Sequence, residues 1–147
     1  MKKIKSLMRD FAISIVPPAA VFFLFMIRVR IMQSHRELDT MAHFLGGLSI
    51  AWMGLILWER WRKRKILPPK IPAIFRDYAV LSHVAVIGVL WEFMEWWFDH
   101  YLGWYMQASL GDTMGDLSMD LLGGLAFVLI YRSMRRKFSI SNSPDCP

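Results

Sequence analysis

Four stretches of the chain carry no charge, or almost none, over a length that can cross a bilayer: Phe11 to Ile27, Met41 to Leu57, Ala79 to Phe98 and Leu117 to Tyr131. About 20 apolar residues, rising about 1.5 Å each, cover the roughly 30 Å of hydrocarbon, and flanking residues extend the shorter stretches. Backbone polar groups in lipid must be bonded within the chain, so each stretch reads as a helix. The expected architecture is an all-α polytopic membrane protein with four transmembrane helices in one bundle. The spans fall at about 11–32, 39–58, 78–100 and 112–131, within a membrane domain of residues 11–131. A basic N-terminal segment, 1–10, precedes it and a basic, disordered tail, 132–147, follows. Composition supports this class, because 55% of the 147 residues are hydrophobic and only 20% are charged. The single cysteine, Cys146, excludes a disulfide framework and a CxxC redox or zinc site.

The first apolar run continues through Phe22 to Met26 with no small-x-small cleavage pattern, so a retained anchor is expected rather than a signal peptide. Pro17-Pro18 either start that helix or kink it. Lys and Arg set the orientation. Lys2, Lys3, Lys5 and Arg9, then seven residues from Arg60 to Arg76, then Arg132, Arg135, Arg136 and Lys137 account for fifteen of the eighteen basic residues. All fifteen fall on one side of the four-span topology, against Arg28, Arg30 and Arg36 on the other. Both termini are therefore expected in the cytoplasm, in a multi-pass protein of the cell (inner) membrane. Trp96, Trp97, Tyr101, Trp104 and Tyr105 mark the outer interface, and Trp58 and Trp61 the inner one. The basic run Arg60 to Lys65 reads as a topology anchor beside anionic lipid, not as a nucleic-acid surface.

In this topology eight of the twelve acids gather on the outer side: Glu37, Asp39, Glu92, Glu95, Asp99, Asp112, Asp116 and Asp120. Glu92, Glu95 and Asp99 share a sector of about 60° on the third helix, and Asp112, Asp116 and Asp120 one of about 80° on the fourth. Asp39 and His43 are an i, i+4 pair on the second. Counting inward from Asp39, His100 and Asp112, His43, Glu95 and Asp116 lie at about 6 to 8 Å, with Glu92 and Asp120 at about 12 Å. Ionised carboxylates avoid lipid, so the stripes are expected to face one another across a cup. His43, Glu95, Asp116 and Asp120 are the candidate ligands of a divalent metal, Mg²⁺, Mn²⁺ or Zn²⁺. Glu92 is a candidate general base, and Asp39, Asp99 and Asp112 complete the site. The competing interpretation has the acids protonated, or paired with Arg28, Arg30 and Arg36, to fix helix packing. His83 lies about 180° around from Glu92 and outside the cup; His35 and His100 lie at helix ends. Gly46-Gly47 and Gly123-Gly124 permit close backbone approach just below it. Gly111-Asp112-Thr113 opens the fourth helix, with Asp112 or Thr113 as its N-cap.

Asp39-x-x-x-His43-Phe44, Trp91-Glu92-x-x-Glu95 and Gly111-Asp112-Thr113-x-x-Asp116-x-x-x-Asp120-x-x-Gly123-Gly124 resemble the membrane-protein family DUF2238, also called YjdF-like, over roughly Asp39 to Tyr131. They also look like a remote version of the VanZ-like family, from which Glu95 and Asp120 depart, because Gln and Asn are usual there. The resemblance implies a small polytopic membrane protein with a polar site and supplies no reaction. Three functions stay open. A metal-dependent hydrolase would act on a lipid-linked or phosphate-containing substrate at the outer leaflet. A non-catalytic binding or resistance protein would hold a cationic or amphiphilic ligand in the cup. A proton or metal-ion transporter subunit would need oligomers to form a path. The expected partners are the lipid bilayer and, at its outer face, a lipid or amphiphilic ligand, with no nucleic acid and with oligomerisation left open.

Overall fold

The computed structural model describes residues 2–31 and 36–141, with side chains described over 8–24 and 38–136. The side chains of Arg28, Arg30, His35, Arg36 and Glu37, and Cys146 in the expected tail, lie outside the described residues. The described chain forms five α-helices: α1 (Lys2–Ser14), α2 (Val16–Ile31), α3 (Arg36–Lys63), α4 (Ala73–Leu102) and α5 (Leu110–Ser141).

Three helical segments are long and apolar enough to cross a membrane: Leu38–Lys63, Ala73–Leu102 and Leu110–Arg136. They contain the expected second, third and fourth spans. The expected first span, 11–32, is divided between α1 and α2 at Ile15. Pro17 and Pro18 fall in the first turn of α2, where a missing N–H costs nothing, so the proline pair starts this helix. Bonds from Ile15 N–H to the Phe11 carbonyl (3.0 Å) and from Ala19 N–H to the Ile15 carbonyl (2.9 Å) carry the chain across the junction. At its other end, α5 extends ten residues past the expected span limit, to Ser141.

The helices α3, α4 and α5 pack on one another, α2 lies on α3, and α1 meets the C-terminal part of α3. Asp10 of α1 is paired with Arg60 and Arg64. Buried Asp77 of α4 is paired with Arg76 (2.6 Å) and with Arg132 of α5. Glu59 accepts a hydrogen bond from Arg62 (2.9 Å) and lies 3.8 Å from Arg135. These pairs tie α1, the end of α3, the start of α4 and the end of α5 together at one pole of the bundle. Above this basic pole the core is apolar, built from Ile50, Ala51, Met53, Leu55, Leu57, Val80, Val84 and Val128. Leu90 and Phe93 of α4 and Leu122, Leu125, Leu129 and Ile130 of α5 are exposed. An apolar surface of that extent suits lipid rather than water.

Glycines set the closest approach in the bundle. A Cβ on Gly47 would stand 1.9 Å from the Asp120 carbonyl oxygen, and one on Gly123 would stand 2.0 Å from the Phe44 carbonyl oxygen. Both obstacles are backbone, so neither can swing aside, and α3 and α5 touch main chain to main chain at two successive levels. Gly115, one helical stretch further out on α5, has nothing within 4 Å of its Cβ position. Gly47→Ala and Gly123→Ala are expected to destabilise the detergent-solubilised protein by about 1–3 kcal/mol or more through forced separation of the helices. Gly115→Ala should be neutral or slightly stabilising, by up to about 1 kcal/mol from helix propensity. Thermal unfolding of the three variants measures this, and equal effects at all three glycines would sink it.

Candidate metal centre

The two glycine contacts decide which side chains meet at the other pole. With Gly47 against Asp120 and Gly123 against Phe44, the neighbouring His43 of α3 is brought alongside the acidic stripe of α5. His43 Nδ1 stands 3.4 Å from Asp120 Oδ2, and His43 Nε2 stands 4.0 Å from Asp116 Oδ2. From α4, Gly88 leaves room for the Asp120 carboxylate: a Cβ there would lie 2.7 Å from Asp120 Oδ2. Glu92, one turn further along α4, completes the group. Ligand atoms of His43, Glu92 and Asp116, all three buried, lie within 4.8 Å of one another. Asp39, Asp112 and Asp116 form a second such group nearer the surface, again within 4.8 Å. Asp116 belongs to both.

Glu95 and Asp120 stand outside these two groups. Glu95 is as buried as Glu92, yet its Oε1 accepts a 2.7 Å hydrogen bond from Trp91 Nε1. Trp91 packs edge-on against Phe22 of α2, with ring centroids 5.2 Å apart, and against His43 of α3 at 6.3 Å, so Glu95 is held by a side chain wedged between α2 and α3. Asp120 instead faces the Nδ1 edge of His43, where a carboxylate fixes the imidazole and leaves Nε2 directed at Asp116. Thus two of the four residues expected as ligands, His43 and Asp116, share the buried triad with Glu92, the expected base.

The connection between α4 and α5 folds over the cup. Helix α4 ends at Gly103 in the left-handed conformation (φ 65°), its N–H bonded to the Asp99 carbonyl at 3.2 Å. The Asp99 carboxylate accepts the N–H groups of Met106 (2.5 Å) and Gln107 (2.7 Å), which makes it a loop anchor. Gln107 Nε2 then donates to Glu92 Oε2 (3.1 Å) and to Thr113 Oγ1 (2.7 Å). Asp112 Oδ2 accepts the Ala108 N–H at 3.2 Å, while Ser109 Oγ accepts the Asp112 N–H at 3.2 Å. Ser109 is therefore the N-cap of α5, not Asp112 or Thr113, because the helix begins earlier, at Leu110. Two members of this arrangement escape sequence reasoning. Gln107 sits in a non-helical connection, where periodicity locates no side chain. Gly88 is a lone glycine in a helix, four residues before Glu92, and that spacing is the signal that finds it. Outside the cup, His83 of α4 packs beside Gly54 of α3.

The donors are hard oxygens plus one imidazole, a set that suits Zn²⁺ or Mn²⁺ better than Mg²⁺. Glu92 Oε1 is buried without a hydrogen-bond partner. A bare carboxylate oxygen in such a place is costly, and a bound cation would satisfy it.

The family model DUF2238, described as predicted membrane protein, matches residues 11–137, and the chain belongs to this family. No curated protein and no solved structure matches it, and none of the comparisons brings in a VanZ-like protein.

Asp99 fixes two amides with one carboxylate, and charge-assisted bonds of this kind contribute about 1.5–3 kcal/mol. In Asp99→Ala, amide hydrogen exchange at Met106 and Gln107 should accelerate by about 10-fold or more, while amides in the middle of α5 keep their protection. Unchanged exchange at both positions would mean that the connection is held by something else.

Proposed function

We propose that the protein is a four-span membrane protein of the cell (inner) membrane, with both termini in the cytoplasm, that binds a divalent cation through His43, Glu92 and Asp116 in the outer half of its bundle. The single observation that carries this reading is the convergence of three buried ligands from three helices, one of them with an unpartnered carboxylate oxygen. The first span would be α2, whose 16 residues reach about 24 Å, completed by flanking residues. The fifteen basic residues in the N-terminal, α3–α4 and C-terminal segments of the sequence support the orientation.

Three protein ligands leave coordination positions for water and for an oxygen of a substrate, as in catalytic rather than structural metal sites. The chemistry best suited to such a centre is hydrolysis of a phosphate or ester at the outer leaflet, with the metal polarising the substrate and lowering the pKa of its bound water. Glu92 then serves as ligand and not as base. Asp120 positions His43, and Asp39 and Asp112 lie on the outward side of Asp116. An ion path through the bundle is disfavoured by the apolar core around Met53, Val80, Val84 and Val128, which lies between the cup and the basic pole.

The metal reading is tested on the detergent-purified protein. Addition of Zn²⁺ or Mn²⁺ should raise its melting temperature, by an amount equivalent to about 2.7 kcal/mol at a hundredfold excess over Kd, and a chelator should reverse this. His43→Ala and Asp116→Asn should not respond, whereas Glu59→Gln at the opposite pole should respond like the parent. A parent protein indifferent to all divalent cations would leave the acids as a packing network.

Topology is tested separately with reporter fusions. A fusion at Ser141 should report the cytoplasm and one at Gln107 the outside. An outside signal at Ser141 would invert the whole assignment.

A further inference from the structure

A cavity of about 360 Å³ lies between α2, α3 and α4. Its walls are apolar: Ala19 and Val21 come from α2, Ile50 and Met53 from α3, and Ile87 from α4. At one end it is lined by Ile15 and Pro18 of the α1–α2 junction. The other end is polar, formed by His43, Asp120 and Trp91. His43 therefore borders the cavity on one side and the cation triad on the other.

The cavity is elongated: its α3 wall runs from His43 to Met53, ten residues or about 15 Å, a length that suits an extended hydrocarbon chain. The side of the cavity between α2 and α4 is also the least closed. Among the described residues α2 packs on α1 and α3, and reaches α4 through the Phe22–Trp91 ring contact. In a bilayer that side faces lipid, and an apolar space open to hydrocarbon fills with hydrocarbon rather than water.

We propose that this cavity receives one acyl chain of an outer-leaflet phospholipid, which enters between α2 and α4 and brings its phosphate to the metal ligands His43, Glu92 and Asp116. The position of the phosphate rests on the cation reading given above; the position of the chain does not. Phe22 and Trp91 form the gate, and the site belongs to a lipid carrying an oxyanion rather than to a soluble anion, because the apolar space and the cup share a wall at His43.

The test uses the full chain in phosphatidylcholine vesicles with Mn²⁺ and a small fraction of phosphatidylglycerol bearing a diazirine midway along one acyl chain. Ile50 and Met53 are 7% and 6% exposed. A chain in the bulk bilayer therefore has little access to them, and crosslinks there report a chain inside the cavity. Crosslinking at Ile50 and Met53 is expected to fall at least fivefold in Ala19→Phe and in Val21→Phe, two variants that fill the cavity from α2. Labelling of exposed Leu125 and Leu129 should stay unchanged and so reports that both variants are folded. A diacylglycerol probe with the same chain should label Ile50 and Met53 at least threefold less, and this preference should vanish in Asp116→Asn.

Labelling of Ile50 and Met53 that is absent, or that both filling variants leave intact, overturns the proposal. Equal labelling by the two probes overturns the placement of the phosphate. The same samples separate this idea from the one beneath it. A melting temperature that ignores Mn²⁺ while both variants still abolish labelling removes the cation reading and retains the chain site. A melting temperature that responds to Mn²⁺ while labelling ignores the variants removes the chain site alone.

Discussion

The contact on which the rest of the structure depends is the main-chain approach of α3 to α5. It occurs where Gly47 faces the Asp120 carbonyl and Gly123 faces the Phe44 carbonyl. Lipid offers helices little hydrophobic reason to associate, so close packing through small residues has to supply the attraction. Two reciprocal glycine contacts, one on each helix, also fix register: a slide of α5 by one residue would drive side chains into backbone at both levels. Register in turn decides that His43 meets Asp116 and Asp120. The same residues that let the bundle close therefore define its polar site.

Much of this is visible in the sequence, and the part that is not has a physical cause. The three long helices follow from uncharged length, and the acidic stripes from 3.6-residue periodicity. The glycine pairs are legible as places of close approach, although not as contacts with particular carbonyls. Depth counting places Glu95 level with His43 and Asp116, while in the structure Glu92 shares their group. A count along the axis cannot choose between them, because Glu92 and Glu95 lie about 60° apart around α4, and rotation against the neighbours decides the outcome. Trp91 takes Glu95 as its hydrogen-bond partner, while Glu92 accepts from Gln107, which also donates to Thr113. The division of the first span at Ile15 follows from Pro17-Pro18, whose effect has two readings until neighbouring helices are present.

The two poles handle buried charge in opposite ways. At the basic pole each of Asp10, Glu59 and Asp77 has an arginine beside it, so these carboxylates serve as ties between helices. At the other pole, α4 beyond Asp77 and α5 up to Tyr131 contain no lysine or arginine at all. Glu92, Glu95 and Asp116 have as neighbours instead the hydrogen-bond donors Gln107 and Trp91, and His43. Arginine ties would have given the same mechanical linkage on that side, with less unpaired charge.

Asp120 is the most crowded of the acids at this pole. Gly46, Gly47 and Gly88, from two helices, all stand close to this one residue, which is 4% exposed and has its carboxylate against His43. A charged group at such a place costs several kcal/mol of desolvation, and its attraction to one histidine rarely returns more than that. An apolar residue of similar volume would pack the same space with no such cost, and asparagine would keep the hydrogen bond. What a carboxylate does supply is an acceptor that holds the imidazole in one orientation and strengthens Nε2 as a donor of electron density to a cation. The cost at Asp120 is offset in the proposed function by a metal on the other side of His43; without one, the buried His43–Asp120 pair is a tie between α3 and α5.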